Sequence, residues 1–281
     1  MLKLTYGIPS LNYQDSMGIP GMGGDLFNGL LSLASYAKKN KDSSIKFISA
    51  PLSKFDIVSL FYAEKMIPVL PDNMQTIEKL HICDVHAHAL NTNSPFLKFC
   101  KNRTTNTVWH YFLLRGITQE DILKNFSITG TPNMSVEEQD IIIFPSAGGD
   151  GSKLLPPEFY LNFIEDHYPG NRKVYWNKET NSLHKNNCPP KGDILTSSIK
   201  DILATLFHRN PIVMGHRSGI FDIMFHVLPP NRTSDVTCFY ETSQPNKQLH
   251  ADWCLKGDNV PEQFKEFSES RKYYREIGVD R

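Results

Sequence analysis

The sequence predicts an α/β fold in two halves, each built on a parallel sheet. Three observations carry that expectation. Short runs rich in β-branched and aromatic residues alternate with helical stretches. A polar stretch with proline and glycine, GTPNMSVEEQD (130–140), interrupts the alternation near mid-chain. After it the strand–loop–helix pattern begins again. A chain of 281 residues, 40% hydrophobic and 21% charged, has room for two packed cores.

In the first half, LKLTYGI (2–8) reads as a strand, followed by a loop at 9–24 with two prolines and four glycines. A helix at 25–39 follows. SIKFISAP (44–51) reads as a strand ended by Pro51, then a helix at 54–66 and a short strand at 67–70 stopped by Pro71. LHICDVHAHAL (80–90) is a further strand candidate. Residues 91–136 are helical in places, with Thr118 and Asp121 spaced as a helix N-cap and a first-turn acid.

In the second half, DIIIFPSAGG (140–149) is a buried-strand run ending in small residues, and PPEFYLNFIEDHY (156–168) is a helix opened by prolines. RKVYWNKE (172–179) is strand-like, and TSSIKDILATLFHR (196–209) is a helix with a Thr/Ser N-cap. NPIVMGHRSGIFDIMFHVL (210–228) reads as strand, tight turn and helix, and DVTCFYE (235–241) as a strand. PEQFKEFSESRKYYREIG (261–278) carries the charge pattern of an amphipathic helix packing back across the domains. The expected domains are therefore 1–136, 137–260 and the C-terminal helix 261–281.

Composition removes several functions. Thirty basic residues balance thirty acidic ones, so the chain lacks the basic surplus of a nucleic-acid binder. Five dispersed cysteines without CxxC spacing suggest reduced thiols in a cytosol. The start has no signal-peptide pattern, and no run approaches the roughly 20 apolar residues of a membrane span. A soluble cytoplasmic protein is expected.

Three stretches carry chemistry. In IIIFPSAGGDGSKLLPPEFY (141–160), a strand delivers Ser146 and small residues to its end, and Lys153 precedes a helix. Small residues let backbone approach a phosphate, and lysine adds a mobile cation. A surface loop with a solvated lysine fits the same letters. In IVMGHRSGIFDIMF (212–225), Arg217, Ser218 and Gly219 form a turn into a helix. Helix-start amides beside an arginine make an anion site, although Arg217 paired with Asp222 would serve structure alone. In GMGGDLFNG (21–29), Gly23 and Gly24 crowd Asp25 at a helix start, as a turn, a phosphate cradle or a seat for a reactive carboxylate.

CDVHAHAL (83–90) competes with them. Asp84, His86 and His88 fall on one face of a strand, as in the D-x-H-x-H of metal-dependent amidohydrolases. That motif belongs on the first strand of a barrel, and here some eighty residues of other α/β structure precede it. HExxH, GxSxG and GxxxxGK[ST] are absent, and GIPGMGGD lacks the GxGxxG spacing of a dinucleotide fold.

Taken in order, these segments resemble the lipopolysaccharide heptosyltransferases (glycosyltransferase family 9-like) and related GT-B glycosyltransferases. IIIFPSAGGDGSKLLPPEFYLNFIE is similar to the start of that family's C-terminal domain, with its strand, small-residue loop, lysine and WPxExF-like helix start. SSIKDILATLFHRNPIVMGHRSGIFDIMFHV is similar to the segment whose D-[ST]-G turn receives the donor diphosphate. Arg217 stands where the family usually has aspartate, and Asp222 where it often has histidine. GMGGDLFNGLLSLAS resembles the N-terminal "GD" helix start, and VYWNKET lies where a strand and an acid approach the donor nucleoside.

The resemblance implies two Rossmann-like domains facing a cleft, the GT-B arrangement. It also implies a metal-independent transfer with no cofactor, the nucleotide-diphosphate sugar being the donor substrate. Asp25 would be the general base. Ser146, Lys153, Tyr175, Trp176, Glu179, Arg217, Ser218, Gly219 and Asp222 would line the donor side, and Gly23, Gly24, His86 and His88 the acceptor side. The acceptor would be a bacterial surface glycan or glycolipid, of lipopolysaccharide or capsule type, met at the inner face of the membrane. A nucleotide-sugar hydrolase or epimerase on the same fold, a metal-dependent hydrolase using Asp84, His86 and His88, and a non-catalytic sugar-nucleotide binder are the alternatives.

Overall fold

The computed structural model describes residues 3–7, 44–48, 66–69, 80–82, 128, 130–145, 155–179, 189, 192–242 and 269–280. The chain divides into two compact units, one of Met1–Ser127 with Trp253–Glu266, the other of Ile128–Asp252 with Phe267–Arg281.

The first unit holds four strands, β1 (Lys3–Gly7), β2 (Ser44–Ile48), β3 (Met66–Val69) and β4 (Leu80–Ile82), in the order β3-β2-β1-β4. All neighbours are parallel, with Lys3 opposite Ser44, Ile45 opposite Met66 and Thr5 opposite Leu80. The strands at 2–8, 44–51 and 67–70 are where the sequence puts them. The candidate at 80–90 is a strand over Leu80–Ile82, and Asp84, His86 and His88 lie outside the described residues.

The second unit holds β5 (Ile141–Phe144), α1 (Pro157–His167), β6 (Val174–Glu179), β7 (Asp193–Ser197), α2 (Ile199–Arg209), β8 (Ile212–His216), α3 (Gly219–Val227), β9 (Val236–Glu241) and β10 (Tyr274–Val279). Its six strands run in the order β10-β9-β8-β5-β6-β7, every neighbouring pair parallel. The chain thus builds outward from β5 to β7 and then returns to β5's other side for β8. That is the doubly-wound order, with its direction switching between β5 and β8.

Parallel strands covered on both faces read as continuous apolar runs, and Ile141–Phe144 is buried throughout. Alternate residues feed two cores. Ile141, Ile143, Ile212 and Met214 pack with Tyr160 and Ile164 of α1, with Trp176 and with Phe239. Tyr160 meets Trp176 edge-on at 5.9 Å, and Phe159 and Phe163 each meet Phe239 edge-on at 5.0 Å. On the opposite face, Phe144 meets Phe221 of α3 at 6.0 Å. Edge-to-face geometry adds to the burial of such rings.

Three readings of the sequence change. Residues 193–197 form β7, and the helix expected from 196 starts at Ile199. β7 is an edge strand whose one buried residue is Leu195, while Ile194 is 46% exposed. One inward side chain is too weak a period to announce a strand. The helix expected over 261–278 gives way to strand β10 at Tyr274–Val279, in register with β9 from Tyr274↔Val236 to Val279↔Glu241. Its tyrosine, isoleucine and valine suit a pleated surface, and the open edge of β9 decides the state against the charge pattern.

The stretch 130–140 has the composition of a linker but runs along α2. The amide of Thr131 donates to Asp201 Oδ1 (2.8 Å), that of Asn133 to Thr205 Oγ1 (2.8 Å), and Arg209 Nε to Val136 O (2.7 Å). A Cβ on Gly130 would stand 2.1 Å from the Lys200 carbonyl oxygen, so the contact requires glycine.

Candidate functional site

In open α/β sheets ligands bind beyond the carboxyl ends of the strands, where the winding direction switches. In the second unit that point lies between β5 and β8, after Phe144 and after His216. The two segments that the sequence marks as anion-binding, 141–160 and 212–225, start from these two adjacent strands. Phe144 and Gly215 are register partners there. A Cβ on Gly215 would lie 2.4 Å from Phe144 O and 2.8 Å from Phe144 Cβ. Only glycine lets the two strands end side by side. In the sequence Gly215 is one more residue before the turn at 217–219, and its steric need becomes visible once its partner is known.

Beyond β8 the chain passes through Arg217, half-buried, and into α3 at Ser218 and Gly219. The amide of Arg217 donates to Phe239 O (2.8 Å), so β9 carries the chain one residue past the strand end. Ser218 is the N-cap of α3, in extended conformation, and its side chain makes no cap hydrogen bond. Its Oγ is buried and has no hydrogen-bond partner among the described residues. The N3 amide, Phe221 N, turns to the Ser218 carbonyl at 3.0 Å instead. The first three helical residues, Gly219, Ile220 and Phe221, carry no acid. A helix start gathers unsatisfied amide donors and partial positive charge. Here Arg217 precedes that helix end in the chain, the Ser218 hydroxyl is uncommitted, and no carboxylate stands on the first three helical residues. Such an arrangement suits an anion.

His216, 3% exposed, ends β8 beside these residues and was given no role by its letters, because a lone histidine has no spacing signature. On β6, Tyr175 and Trp176 lie within the core. The Tyr175 hydroxyl donates to Ser135 O (2.9 Å), and Trp176, 2% exposed, packs in the α1-side cluster. Glu179 is the last residue of β6, opposite Ser197 in β7. Asp222 is a residue of α3. Gly23, Gly24, Asp25, His86, His88, Ser146 and Lys153 lie outside the described residues.

The amino end of the same sheet is built differently. An open cavity of about 610 Å³ there is lined by Glu137, Glu138, Tyr168, Arg172 and Asp235, among others. Its polar groups serve each other. Glu138 Oε1 accepts from Asn210 Nδ2 and from Thr233 Oγ1, each at 2.8 Å, and Asp235 Oδ2 accepts from Tyr168 and from Arg275. Burial, and after it the neighbouring Asp235, holds the Tyr168 phenol protonated above its usual range.

Among the described residues, no group of three or more His, Cys, Asp and Glu is placed to hold a metal ion, and no helix is long and apolar enough to cross a membrane.

No family model matches the sequence, and no curated protein matches it. Solved structures do. The iron-containing dodecameric glycosyltransferase TibC of enterotoxigenic E. coli superposes with a TM-score of 0.55 at 12% identity, over 95% of this chain and 76% of its own. The E. coli heptosyltransferase WaaC, solved with ADP, superposes with a TM-score of 0.49 at 10% identity, over 99% of this chain and 93% of its own. At such identities the TibC likeness is one of fold. The chain is α/β with a parallel six-stranded sheet.

Proposed function

We propose that this protein is a GT-B glycosyltransferase that moves a sugar from a nucleotide-diphosphate donor to an acceptor hydroxyl. The acceptor is a bacterial surface glycan of lipopolysaccharide or capsule type, and the work is done in the cytoplasm at the inner face of the membrane. The observation that carries this reading is the open N-terminus of α3 at the switch point, with the Ser218 hydroxyl unspent and Arg217 beside it. The fold shared with the TibC glycosyltransferase supports it.

The donor diphosphate lies between the β5 and β8 loops, held by Arg217, Lys153 and the amides around Ser218 and Gly219. Ser146 and Asp222 complete that side, and Glu179 takes the ribose hydroxyls at the carboxyl end of β6, the strand whose Tyr175 and Trp176 are drawn into the core. Across the cleft, Gly23 and Gly24 clear room for Asp25, with His86 and His88 on the acceptor side. The acceptor oxygen attacks the anomeric carbon as its proton passes to the Asp25 carboxylate. The bond from that carbon to the diphosphate oxygen breaks, and its electron pair leaves with the diphosphate. Fixed donors aimed at that oxygen stabilise the developing charge. The transfer is read as metal-independent and without a cofactor.

Thermal-shift measurements against ADP-, GDP-, UDP- and CMP-sugars test this, since a ligand of the folded state alone raises its stability. One nucleotide class is expected to raise the Tm; no shift with any would overturn the reading. With that donor, Asp25→Asn should bind normally and lose transfer by at least about a hundredfold, whereas Lys153→Ala and Arg217→Ala should weaken donor binding. Nucleotide release without an acceptor would make the enzyme a hydrolase. Because TibC is an iron-containing enzyme, turnover is also measured with a chelator, and loss of activity there would remove the metal-independent step.

A further inference from the structure

Helix α3 is gripped at its far end by a segment remote in sequence. Arg271, 2% exposed, donates through Nε to Phe225 O and through Nη2 to His226 O (3.3 Å), both in the last turn of α3. Its Nη1 donates to Ser270 Oγ (3.0 Å), and the guanidinium carbon lies 5.5 Å from the Phe225 ring centre. Tyr273 donates to Leu228 O (3.2 Å), the carbonyl of the helix C-cap. The last carbonyls of a helix lack intrahelical partners and carry partial negative charge, so a buried cation there answers both needs.

We propose that Arg271 is a positioning residue for the anion site at the opposite end of α3, fixing the direction in which Ser218 and Gly219 present their donors. This rests on the donor site proposed above. α3 is buried along nearly its whole length and spans about 13 Å at 1.5 Å per residue. A rigid rod of that length carries a tilt at its C-terminal turn straight to its N-terminus. Burial draws the Arg271 guanidinium down to about 10, so it stays charged at neutral pH.

The same domain supplies a matched control. Arg232, 8% exposed, is also drawn down to about 10 by burial. It donates to Leu206 O (2.7 Å) in the last turn of α2, to Pro211 O and to Ser234 O (3.0 Å). It holds a helix that does not start at the switch point. The two arginines do the same structural work on different helices.

The experiment measures Tm and the dissociation constants of ADP, GDP, UDP and CDP for the full chain and for Arg271→Lys, Arg271→Met, Tyr273→Phe and Arg232→Met, well below each Tm. Both methionine variants are expected to lower the Tm. Arg271→Met should weaken the diphosphate that binds the parent protein by about tenfold or more, Arg271→Lys should recover part of that loss, and Arg232→Met should stay within about twofold. Equal constants for Arg271→Lys and the parent, or equal weakening in Arg232→Met, would overturn the positioning role. Where Arg271→Met does not fold, Arg271→Lys and Tyr273→Phe decide: weakened binding supports the role and parental binding overturns it. A parent protein that binds none of the four removes the donor site itself, and the inference falls with it.

Discussion

Two helices of the second unit begin with a serine, and they use it in opposite ways. At the start of α2, Ser198 Oγ accepts from the Asp201 amide (3.2 Å) and donates to Asp201 Oδ2 (2.8 Å), while Asp201 Oδ1 takes the amide of Thr131. That is a reciprocal cap, and it closes the helix end with an acid of its own. At the start of α3, Ser218 Oγ caps nothing and the first three helical residues carry no acid. α2 follows β7 at the sheet edge, whereas α3 follows β8 at the switch point. The difference teaches where this fold has spent its polar groups. An end finished with its own carboxylate serves stability, and an end left open beside an arginine suits a ligand's negative charge.

The most severe way to break this contrast is Gly215→Ala. The added methyl would meet the backbone oxygen of Phe144 at 2.4 Å, so β5 and β8 must part just below the open helix end. A stability loss of about 3 kcal/mol is expected from overpacking that no rotamer relieves. Urea unfolding measures it, and nucleotide affinity should fall with it. A loss under about 1 kcal/mol would mean that the strands part easily, and the site would then need no such tight pair.

Ser198→Ala comes next. The Asp201 amide loses its acceptor and the Asp201 carboxylate one of its donors, so a loss of about 1 kcal/mol is expected. Its sharper content is what should not change. Nucleotide binding should match that of the parent protein, because the α2 end is closed by its own residues. Altered affinity at full folding would blur the distinction between the two helix starts.

How much of this contrast the sequence displays depends on the reach of each interaction. The capped start of α2 is legible, since Ser198 and Asp201 lie three residues apart and the motif is local. The strands β5 and β8 are legible too, because a buried parallel strand is a solid apolar run. The return to β5's other side is not, and with it Gly215's role is hidden, for its partner Phe144 lies 71 residues away. β10 illustrates the same limit. Local letters favour a helix, and the unpaired edge of β9, set by a distant segment, makes a strand. At the candidate site, Arg217, Ser218 and Gly219 are marked by their turn, whereas the hold of Arg271 on α3 has no local signal, the helix carbonyls it donates to being 45 and 46 residues away.

The smallest expected effect is the most telling, Ser218→Ala. A buried hydroxyl without a partner already bears its desolvation cost, so replacing it with a methyl should shift stability by no more than about 0.5 kcal/mol in either direction. The same change at Ser198 should cost about twice that or more. If the hydroxyl is held for a donor phosphate, the variant should nonetheless bind nucleotide several-fold more weakly, as loss of one hydrogen bond to a charged group implies. Stability retained and affinity lost is the signature of a group kept for a ligand. A Ser218→Ala protein that loses about 1 kcal/mol and binds nucleotide as before would make this serine an ordinary cap. The open end of α3 would then be only a second version of α2.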